Sequence, residues 1–183
     1  MTFTPLSICG AWLIEPVRHY DARGYFSETF RADLFREATG LDVDFVQENE
    51  SESVGGTIRG LHFQAGEHAQ AKLVRVCEGE IVDVVVDLRQ SSPSFGRYIT
   101  VPLSHESGRQ LFVPRGCAHG FAVLSERARF LYKVDNYWCR EAEHTLLYDD
   151  PTVGVEWPIA PEARILSPKD LTGSSLAALP LFP

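Results

Sequence analysis

Hydrophobic and polar residues alternate along most of the chain with a period of two. Runs rich in β-branched and aromatic residues are separated by Gly, Pro, Asp and Ser, a pattern typical of a β-sandwich or barrel. The pattern therefore predicts an all-β fold. The predicted strands are Ala11–Ile14, Gly24–Thr29, Phe45–Ser53, Thr57–Phe63, Ala71–Glu78, Glu80–Asp87, Tyr98–Leu103, Gln110–Val113, Ala118–Val123, Arg127–Tyr137 and His144–Tyr148.

Helical signals are few and short. Ala32–Thr39 is the best helix candidate, and Gly40 can take the left-handed conformation that ends a helix. A second helical turn is expected at Ser167-Pro168-Lys169-Asp170. Without a repeat or a linker, the chain is expected to form one domain over residues 1–183, with a loosely ordered tail after about residue 171.

Two strands predict a charged pair inside the fold. If Glu78-Gly79 is a two-residue hairpin turn, Cys77 pairs with Glu80 and Val76 with Ile81. Lys72, Val74, Val76, Ile81, Asp83 and Val85 would then share one face, with Lys72 and Asp83 as diagonal neighbours. A charged pair on an apolar face is either a structural ion pair or part of a site.

The same parity rule applies to the strand predicted at Arg127–Tyr137. Phe130, Tyr132, Val134, Asn136 and Trp138 would point to one side if the strand has no bulge. Tyr132 and Trp138 are therefore expected on one wall of the same cavity.

Composition and charge exclude several classes of protein. The chain has 183 residues, 44% of them hydrophobic, and a formal charge of −8, which argues against a general nucleic-acid surface but allows a local cationic pocket. No signal peptide is expected from the first residues, and no apolar run approaches the roughly 20 residues that a membrane helix needs. The four scattered cysteines are expected to be free thiols in the cytoplasm.

The candidate chemistry lies on apolar strands. The segment TIRGLHFQAGEHAQAK carries Arg59, His62 and Lys72, and His119 and Tyr132 follow on later strands. A base, a cation and a phenol in one sandwich are the groups needed to move a proton next to a carbonyl. Core packing of His62 and Tyr132, and a surface ion pair for Arg59, are the alternatives.

One motif resembles the cupin superfamily. Gly108, Pro114, Gly116 and His119 have the spacing of the second cupin motif, which turns the chain into a barrel strand. The first cupin motif is incomplete, so only His62 and His119 match the metal-ligand positions. Because cupin metals normally need about three protein ligands, the resemblance implies a jelly-roll β-sandwich without a metal.

A longer series of motifs, from about Gly10 to Asp170, resembles the dTDP-4-dehydrorhamnose 3,5-epimerase family. The order and spacing of the motifs carry the resemblance, since each alone is weak. They include Asp21-x-Arg23-Gly24-x-Phe26, Gln47-Glu48-Asn49, Arg59-Gly60-Leu61-His62-Phe63-Gln64, Gln70-Ala71-Lys72, His119-Gly120-Phe121, Tyr132-Lys133, Glu143-His144 and Glu156-Trp157-Pro158.

The resemblance implies a cofactor-independent homodimer that acts on a dTDP-linked 4-keto-6-deoxyhexose. It assigns His62 as the base, Tyr132 as the acid on the opposite face of the sugar, Lys72 as the group that stabilises the enolate, and Asp170 as the carboxylate that orients the base. Arg23 is expected to reach the site of the other subunit. The substrate-binding residues that it implies are Arg23, Phe26, Glu28, Gln47, Asn49, Arg59, Lys72, His119, Trp138, Glu143 and Lys169.

Trp138 departs from the family pattern, which usually has a tyrosine credited with stacking on the thymine base. Three hypotheses remain open from the sequence. The first is inversion of both carbon 3 and carbon 5, and the second is inversion of one of them on a related nucleotide sugar. The third is a cupin that binds a nucleotide sugar without catalysis, against which the presence of His62, Lys72 and Tyr132 together argues.

Overall fold

Two antiparallel sheets packed face to face form the centre of the protein in a computed structural model that describes residues 1–183. The six-stranded sheet has the order β1-β2-β10-β7-β12-β5, and the five-stranded sheet has the order β13-β6-β11-β8-β9. The strands are β1 (Thr2–Pro5), β2 (Trp12–Glu15), β3 (Arg18–Asp21), β4 (Gly24–Ser27), β5 (Gln47–Val54), β6 (Ile58–Gln64), β7 (Lys72–Glu78), β8 (Glu80–Asp87), β9 (Tyr98–Ser104), β10 (Gln110–Val113), β11 (Cys117–Val123), β12 (Arg127–Val134) and β13 (Glu143–Thr145).

This architecture confirms the all-β, cupin-type prediction, with short helices at the periphery. Helix α1 (Ala32–Thr39) has the predicted bounds and ends at Gly40, whose φ is 72°. Helix α2 (Pro168–Leu171) begins after Ser167, which caps it by accepting a hydrogen bond from the backbone N–H of Asp170. β1 and β3 were not predicted.

The largest part of the core lies between the two sheets. Val74 and Val76 of the six-stranded sheet meet Ile81 and Val85 of the five-stranded sheet in one apolar cluster. A second cluster covers the outer face of the five-stranded sheet, and a third lies where α1 packs against the other sheet. In sheet-on-sheet packing of this kind, every second residue of each strand points into the layer between the sheets.

The predicted hairpin between β7 and β8 is wrong. β7 pairs with β10 and β12, whereas β8 pairs with β11 and β9 in the opposite sheet. The Glu78-Gly79 turn is therefore a corner between the sheets. Gly79 has a φ of 79°, and a Cβ there would lie 2.0 Å from the carbonyl oxygen of Arg127, so the corner requires glycine.

Two other expectations also need correction. The strand predicted to reach Tyr137 ends at Val134, after which the carboxylate of Asp135 accepts a hydrogen bond from the backbone N–H of Ala71. The tail after Leu171 is not loosely ordered: Leu176 and Leu179 are buried against the five-stranded sheet. Apolar residues near the C-terminus complete the outer core cluster.

The strands that carry the site approach each other unusually closely at two glycines. A Cβ on Gly120 would lie 2.5 Å from the carbonyl oxygen of Arg59 and 3.1 Å from the Cα of Gly60. β11 has a register shift against β6 between His119 and Phe121, so His119 faces His62 directly. The two glycines therefore allow the backbone contact that sets two histidines side by side.

Candidate active site

A cavity of about 180 Å³ opens between the two sheets. Phe121 and Phe130, whose rings stack with centroids 4.5 Å apart, join it to the apolar core beneath. The remaining lining is mostly polar. The lining residues are Ser51, Arg59, His62, Phe63, Gln64, Gln70, Lys72, His119, Gly120, Phe121, Phe130, Tyr132, Trp138 and Glu143.

His62 on β6 is bound to a buried carboxylate. Its Nε2 lies 2.6 Å from Oδ1 of Asp170, which is 3% exposed. The Ser167 hydroxyl donates to the other oxygen of Asp170 at 2.7 Å, and the backbone N–H of Gly60 donates to Oδ1 at 3.3 Å. Burial alone would raise the pKa of Asp170, but the hydrogen bonds from His62 and Ser167 hold it below its usual value. Asp170 is therefore ionised and orients the imidazole.

Lys72 begins β7 in the opposite sheet and is 8% exposed. Its Nζ donates a hydrogen bond to the carbonyl oxygen of His62 at 3.1 Å, which bridges the two sheets. Burial lowers the pKa of Lys72 to about 8, although the carboxylates of Asp83 and Glu143 oppose this shift. The ammonium group is thus held beside the cavity, with much less hydration than a surface lysine has.

Tyr132 lies on β12, in the sheet opposite His62. It pairs with Asn49 of β5 in the strand register, and burial raises the pKa of its phenol. The phenol therefore keeps its proton at neutral pH. As predicted, Tyr132 and Trp138 line the same cavity, although Trp138 lies beyond the end of the strand.

His119 on β11 is 6% exposed, and its Nε2 lies 3.0 Å from Oδ2 and 2.9 Å from Oδ1 of Asp83. Burial lowers the pKa of His119 and raises the pKa of Asp83, while the contact between them opposes both shifts. Both side chains are inside the sandwich. A second histidine–carboxylate pair therefore lies behind the cavity wall, which His119 lines.

Polar residues at the cavity mouth hold one another in place. The Arg59 guanidinium donates to the hydroxyl of Ser53 at 2.8 Å and to the carbonyl oxygen of Glu52 at 3.0 Å. The Gln47 side chain donates to Oδ1 of Asn49 at 2.9 Å, and both residues lie on β5. Arg59 lines the cavity and presents a cation to it.

Trp138, Glu143 and Lys169 meet at the same mouth. The Nζ of Lys169 lies 2.7 Å from Oε1 of Glu143, and the Trp138 backbone N–H donates to Gln47 at 3.2 Å. Burial would raise the pKa of Glu143, but the contact with Lys169 and the neighbouring Trp138 indole hold it below its usual value. The indole is 55% exposed and offers a free aromatic face.

Seven of the predicted residues do not line this cavity. Gln47, Asn49, Lys169 and Asp170 contact residues of its wall, namely Trp138, Tyr132, Glu143 and His62. The other three lie away from it. Arg23, Phe26 and Glu28 lie on or just beyond the two-stranded ribbon of β3 and β4. The Arg23 side chain is 90% exposed and pairs with Asp21, and Phe26 is 70% exposed. Within one chain they are surface residues.

Sequence reasoning missed Gln64 and Ser167. Gln64 accepts from the backbone N–H of Cys139 at 2.6 Å and donates to the carbonyl oxygen of Tyr137 at 3.2 Å, so it holds the loop that carries Trp138. The sequence could have indicated Gln64, because an amide side chain on a buried strand needs hydrogen-bond partners. Ser167 precedes Pro168 as a helix cap, and only the fold reveals its hydroxyl on Asp170.

The cavity region and the rest of the chain contain no group of three or more His, Cys, Asp or Glu side chains placed to share a metal ion. Cys9, Cys77, Cys117 and Cys139 are all free thiols. Neither α-helix has the length and apolar content required to cross a membrane.

A jelly-roll sandwich with a histidine–carboxylate pair, a buried ammonium and an opposed phenol defines a cupin-type acid–base enzyme. The family model for dTDP-4-dehydrorhamnose 3,5-epimerase matches residues 5–178. This chain belongs to that family of isomerases.

Three known proteins illustrate the likeness. A dTDP-4-dehydrorhamnose 3,5-epimerase from Pseudomonas aeruginosa is 45% identical over 183 residues, which cover 100% of both chains. The solved dTDP-6-deoxy-D-glucose-3,5-epimerase from Legionella pneumophila, in complex with dTDP-4-keto-L-rhamnose, has a TM-score of 0.93 and 42% identity, covering 97% of this chain and 94% of that one. ChmJ, a 3'-monoepimerase from Streptomyces bikiniensis, has a TM-score of 0.87 and 37% identity, covering 94% and 87%.

The Asp170 contacts predict a pH-dependent loss of stability. Since its pKa is lowered in the folded state, its stabilising contribution is present above the unfolded value near 3.8 and disappears as the pH falls through the folded value. We expect Asp170→Asn to cost roughly 1–3 kcal/mol at neutral pH. The difference from the unsubstituted protein should shrink below the unfolded pKa in urea unfolding. Asp149→Asn, at an exposed carboxylate, is the control and should change stability little at any pH. This account would be contradicted if the difference in unfolding free energy between Asp170→Asn and the unsubstituted protein stayed constant down to pH 3.

Proposed function

We propose that this protein inverts carbon 3, carbon 5 or both in dTDP-4-dehydro-6-deoxy-D-glucose, toward dTDP-4-dehydro-L-rhamnose. The observation that carries the proposal is the placement of His62 and Tyr132 on opposite sheets around one cavity, with Lys72 buried at the same cavity. A base and an acid on opposite walls can remove a proton from one face of a sugar and return one to the other.

His62 is the proposed base. Its Nε2 donates to the ionised Asp170, so the lone pair is left on Nδ1, which takes the proton from the carbon next to the ketone. The C–H electron pair then becomes part of an enolate, and the imidazole becomes an imidazolium. Asp170 stabilises the imidazolium, since the ion pair strengthens as positive charge develops on the ring.

Lys72 is the proposed partner of the enolate oxygen. The negative charge on that oxygen exists in the transition state and the intermediate but not in the substrate. A buried ammonium is already oriented and is weakly screened, so it stabilises this charge more than a hydrated lysine would. With a pKa of about 8, Lys72 is mostly protonated at neutral pH.

Tyr132 is the proposed acid that completes the inversion. Its phenol donates a proton to the carbanionic carbon from the opposite face, and the enolate returns to a ketone. The cycle leaves His62 protonated and Tyr132 deprotonated, so solvent must exchange protons with both before the next turnover. The 4-keto group supplies the required activation of carbons 3 and 5 by itself, so the proposed reaction needs no redox cofactor.

The remaining residues of the cavity and its mouth are proposed to bind the substrate, with His119 beside the sugar and the others holding the nucleotide. Arg59 offers the planar, charged donor group that suits a diphosphate. Trp138 offers an exposed aromatic face on which a thymine base can stack. Gln47, Asn49, Glu143 and Lys169 provide donors and acceptors around that base and the diphosphate.

We also propose a homodimer in the cytoplasm, in which the β3–β4 ribbon of each subunit completes the other site. Arg23, Phe26 and Glu28 are exposed in one chain, and the neighbouring Tyr20 is 71% exposed. Aromatic residues exposed together on a ribbon favour a contact surface. The four free thiols are suited to a reducing compartment.

An alternative is inversion at one carbon only. Trp138 supports it, because a bulkier residue than tyrosine at the mouth can change how deeply the sugar sits. ChmJ, with the same fold, is described as a 3'-monoepimerase.

We expect His62→Asn to lower kcat by about 10²–10⁴-fold, because the amide cannot accept the proton. Binding of dTDP, measured by calorimetry, should stay within about threefold, since the nucleotide residues are unchanged. His68→Asn, at a half-exposed histidine on a short turn, is the matched control and should keep full turnover. Unchanged turnover in His62→Asn would refute the assigned base, and no turnover in the unsubstituted protein would favour the binding-protein hypothesis.

Mixing two inactive variants tests the shared site. In a heterodimer of His62→Asn and Arg23→Ala subunits, one site combines an intact His62 with an intact Arg23 from the other subunit. Random exchange should therefore restore about a quarter of the wild-type sites. Activity is measured after subunit exchange, with each variant alone as the control. Failure to regain activity when light scattering shows heterodimers would mean that Arg23 does not act across the dimer.

A further inference from the structure

Asp83 is a buried carboxylate to which the reaction proposed above assigns no role. It lies on β8 between Ile81 and Val85, both of which face the apolar layer between the sheets. Alternation therefore directs Asp83 into the same layer, where it is 0% exposed. A carboxylate taken out of water in this way is costly unless positive groups surround it.

The hydrogen bonds of Asp83 are incomplete. His119 Nε2 lies about equally close to both oxygens, at 2.9 and 3.0 Å, but has one N–H to donate. The better-aligned bond goes to Oδ2, so the buried Oδ1 is left without a donor of its own. When it is ionised, the carboxylate therefore has uncompensated negative charge next to the histidine that lines the cavity.

Lys72 is the cation that enters this layer from the opposite sheet. Val74 and Val76 of β7 face the inter-sheet core, so alternation directs Lys72 there as well, from the sheet opposite Asp83. Among the groups that act on Lys72, Asp83 is the leading source of charge stabilisation. The Nζ of Lys72 makes a single hydrogen bond, to the carbonyl oxygen of His62.

We propose that Asp83 is a positioning residue whose buried carboxylate keeps Lys72 protonated inside the cavity and fixes the ring of His119 beside it. This inference rests on the proposed function for its catalytic meaning, but the electrostatic statement can be tested without turnover.

The other groups around Lys72 favour its protonation less than Asp83 does. Glu143 is already engaged by Lys169 at 2.7 Å. The Cys117 thiol is uncharged, because burial raises its pKa to about 12. The positive groups oppose protonation of Lys72 instead. The groups that act on it are Asp83 on β8, Glu143 on β13, Cys117 and His119 on β11, His62 on β6 and Lys169 on α2.

The direction in which the pKa of Lys72 should move without Asp83 follows from charge. Removing the carboxylate of Asp83 removes an attraction that favours the ammonium, so Lys72 should lose its proton at a lower pH. Stabilisation of the enolate would then disappear earlier as the pH rises. The alkaline limb of kcat should move to lower pH by about one unit.

NMR titration of lysine-labelled protein tests the electrostatic statement directly. The chain has only three lysines, Lys72, Lys133 and Lys169, so their side-chain signals can be assigned by substitution. In the unsubstituted protein the Lys72 signal should titrate near pH 8. In Asp83→Asn it should titrate at least about one unit lower, while Lys133 and Lys169 stay unchanged.

Asp87→Asn is the matched control, because Asp87 is a buried carboxylate on the same strand that binds Arg89, Ser92 and Ser94 instead of the cavity groups. It should leave the Lys72 titration where it was. If Asp83→Asn does not fold, Asp83→Leu, an apolar residue of similar shape, serves the same purpose, since it buries no unpaired polar group.

The proposal is overturned if Lys72 titrates at the same pH with and without the Asp83 carboxylate, or if Asp87→Asn shifts it equally. A shifted Lys72 titration in a protein that has no epimerase turnover would support the electrostatic role and refute the proposed function. If the Lys72 titration shifts but the alkaline limb of kcat does not move, Asp83 does not act in catalysis through the protonation of Lys72.

Discussion

Burial of ionisable groups between two apolar sheets is the constraint on which the site depends. Each such group carries a desolvation cost that is tolerable only with a hydrogen-bonding or charged partner. Asp170 has His62 and Ser167, and Lys72 has the carbonyl oxygen of His62. The partners come from different strands and from α2, so the site exists only when the sandwich has closed.

The same constraint links the reactive groups to the backbone. His62 and His119 stand opposite each other because Gly60 and Gly120 let β6 and β11 approach where any side chain would collide. A buried ammonium whose pKa is about 8 and a phenol whose pKa is raised by burial then occupy the facing sheet. Shared burial thus brings an imidazole, an ammonium group and a protonated phenol into one small volume.

The sequence predicted α1, most strands and nearly all of the cavity-lining charged residues, because alternation and motif spacing are local properties. It failed where the answer depends on which sheet a strand joins. The spacing around Gly79 fits a hairpin and a corner equally well, so Lys72 and Asp83 were placed correctly inside the fold but wrongly in one sheet. The packing of Leu176 and Leu179 likewise depends on a distant sheet surface.

Proton exchange with solvent tests the central claim most directly. The protein is incubated without added metal in D2O with dTDP-4-keto-6-deoxy-D-glucose, and the sugar protons are followed by NMR. If His62 and Tyr132 act on opposite faces, the signal of the proton on carbon 3, on carbon 5 or on both will disappear as inverted product forms. Loss of both signals identifies a double epimerase, and loss of one a mono-epimerase. Retention of both signals, with dTDP bound at the site, would contradict the account.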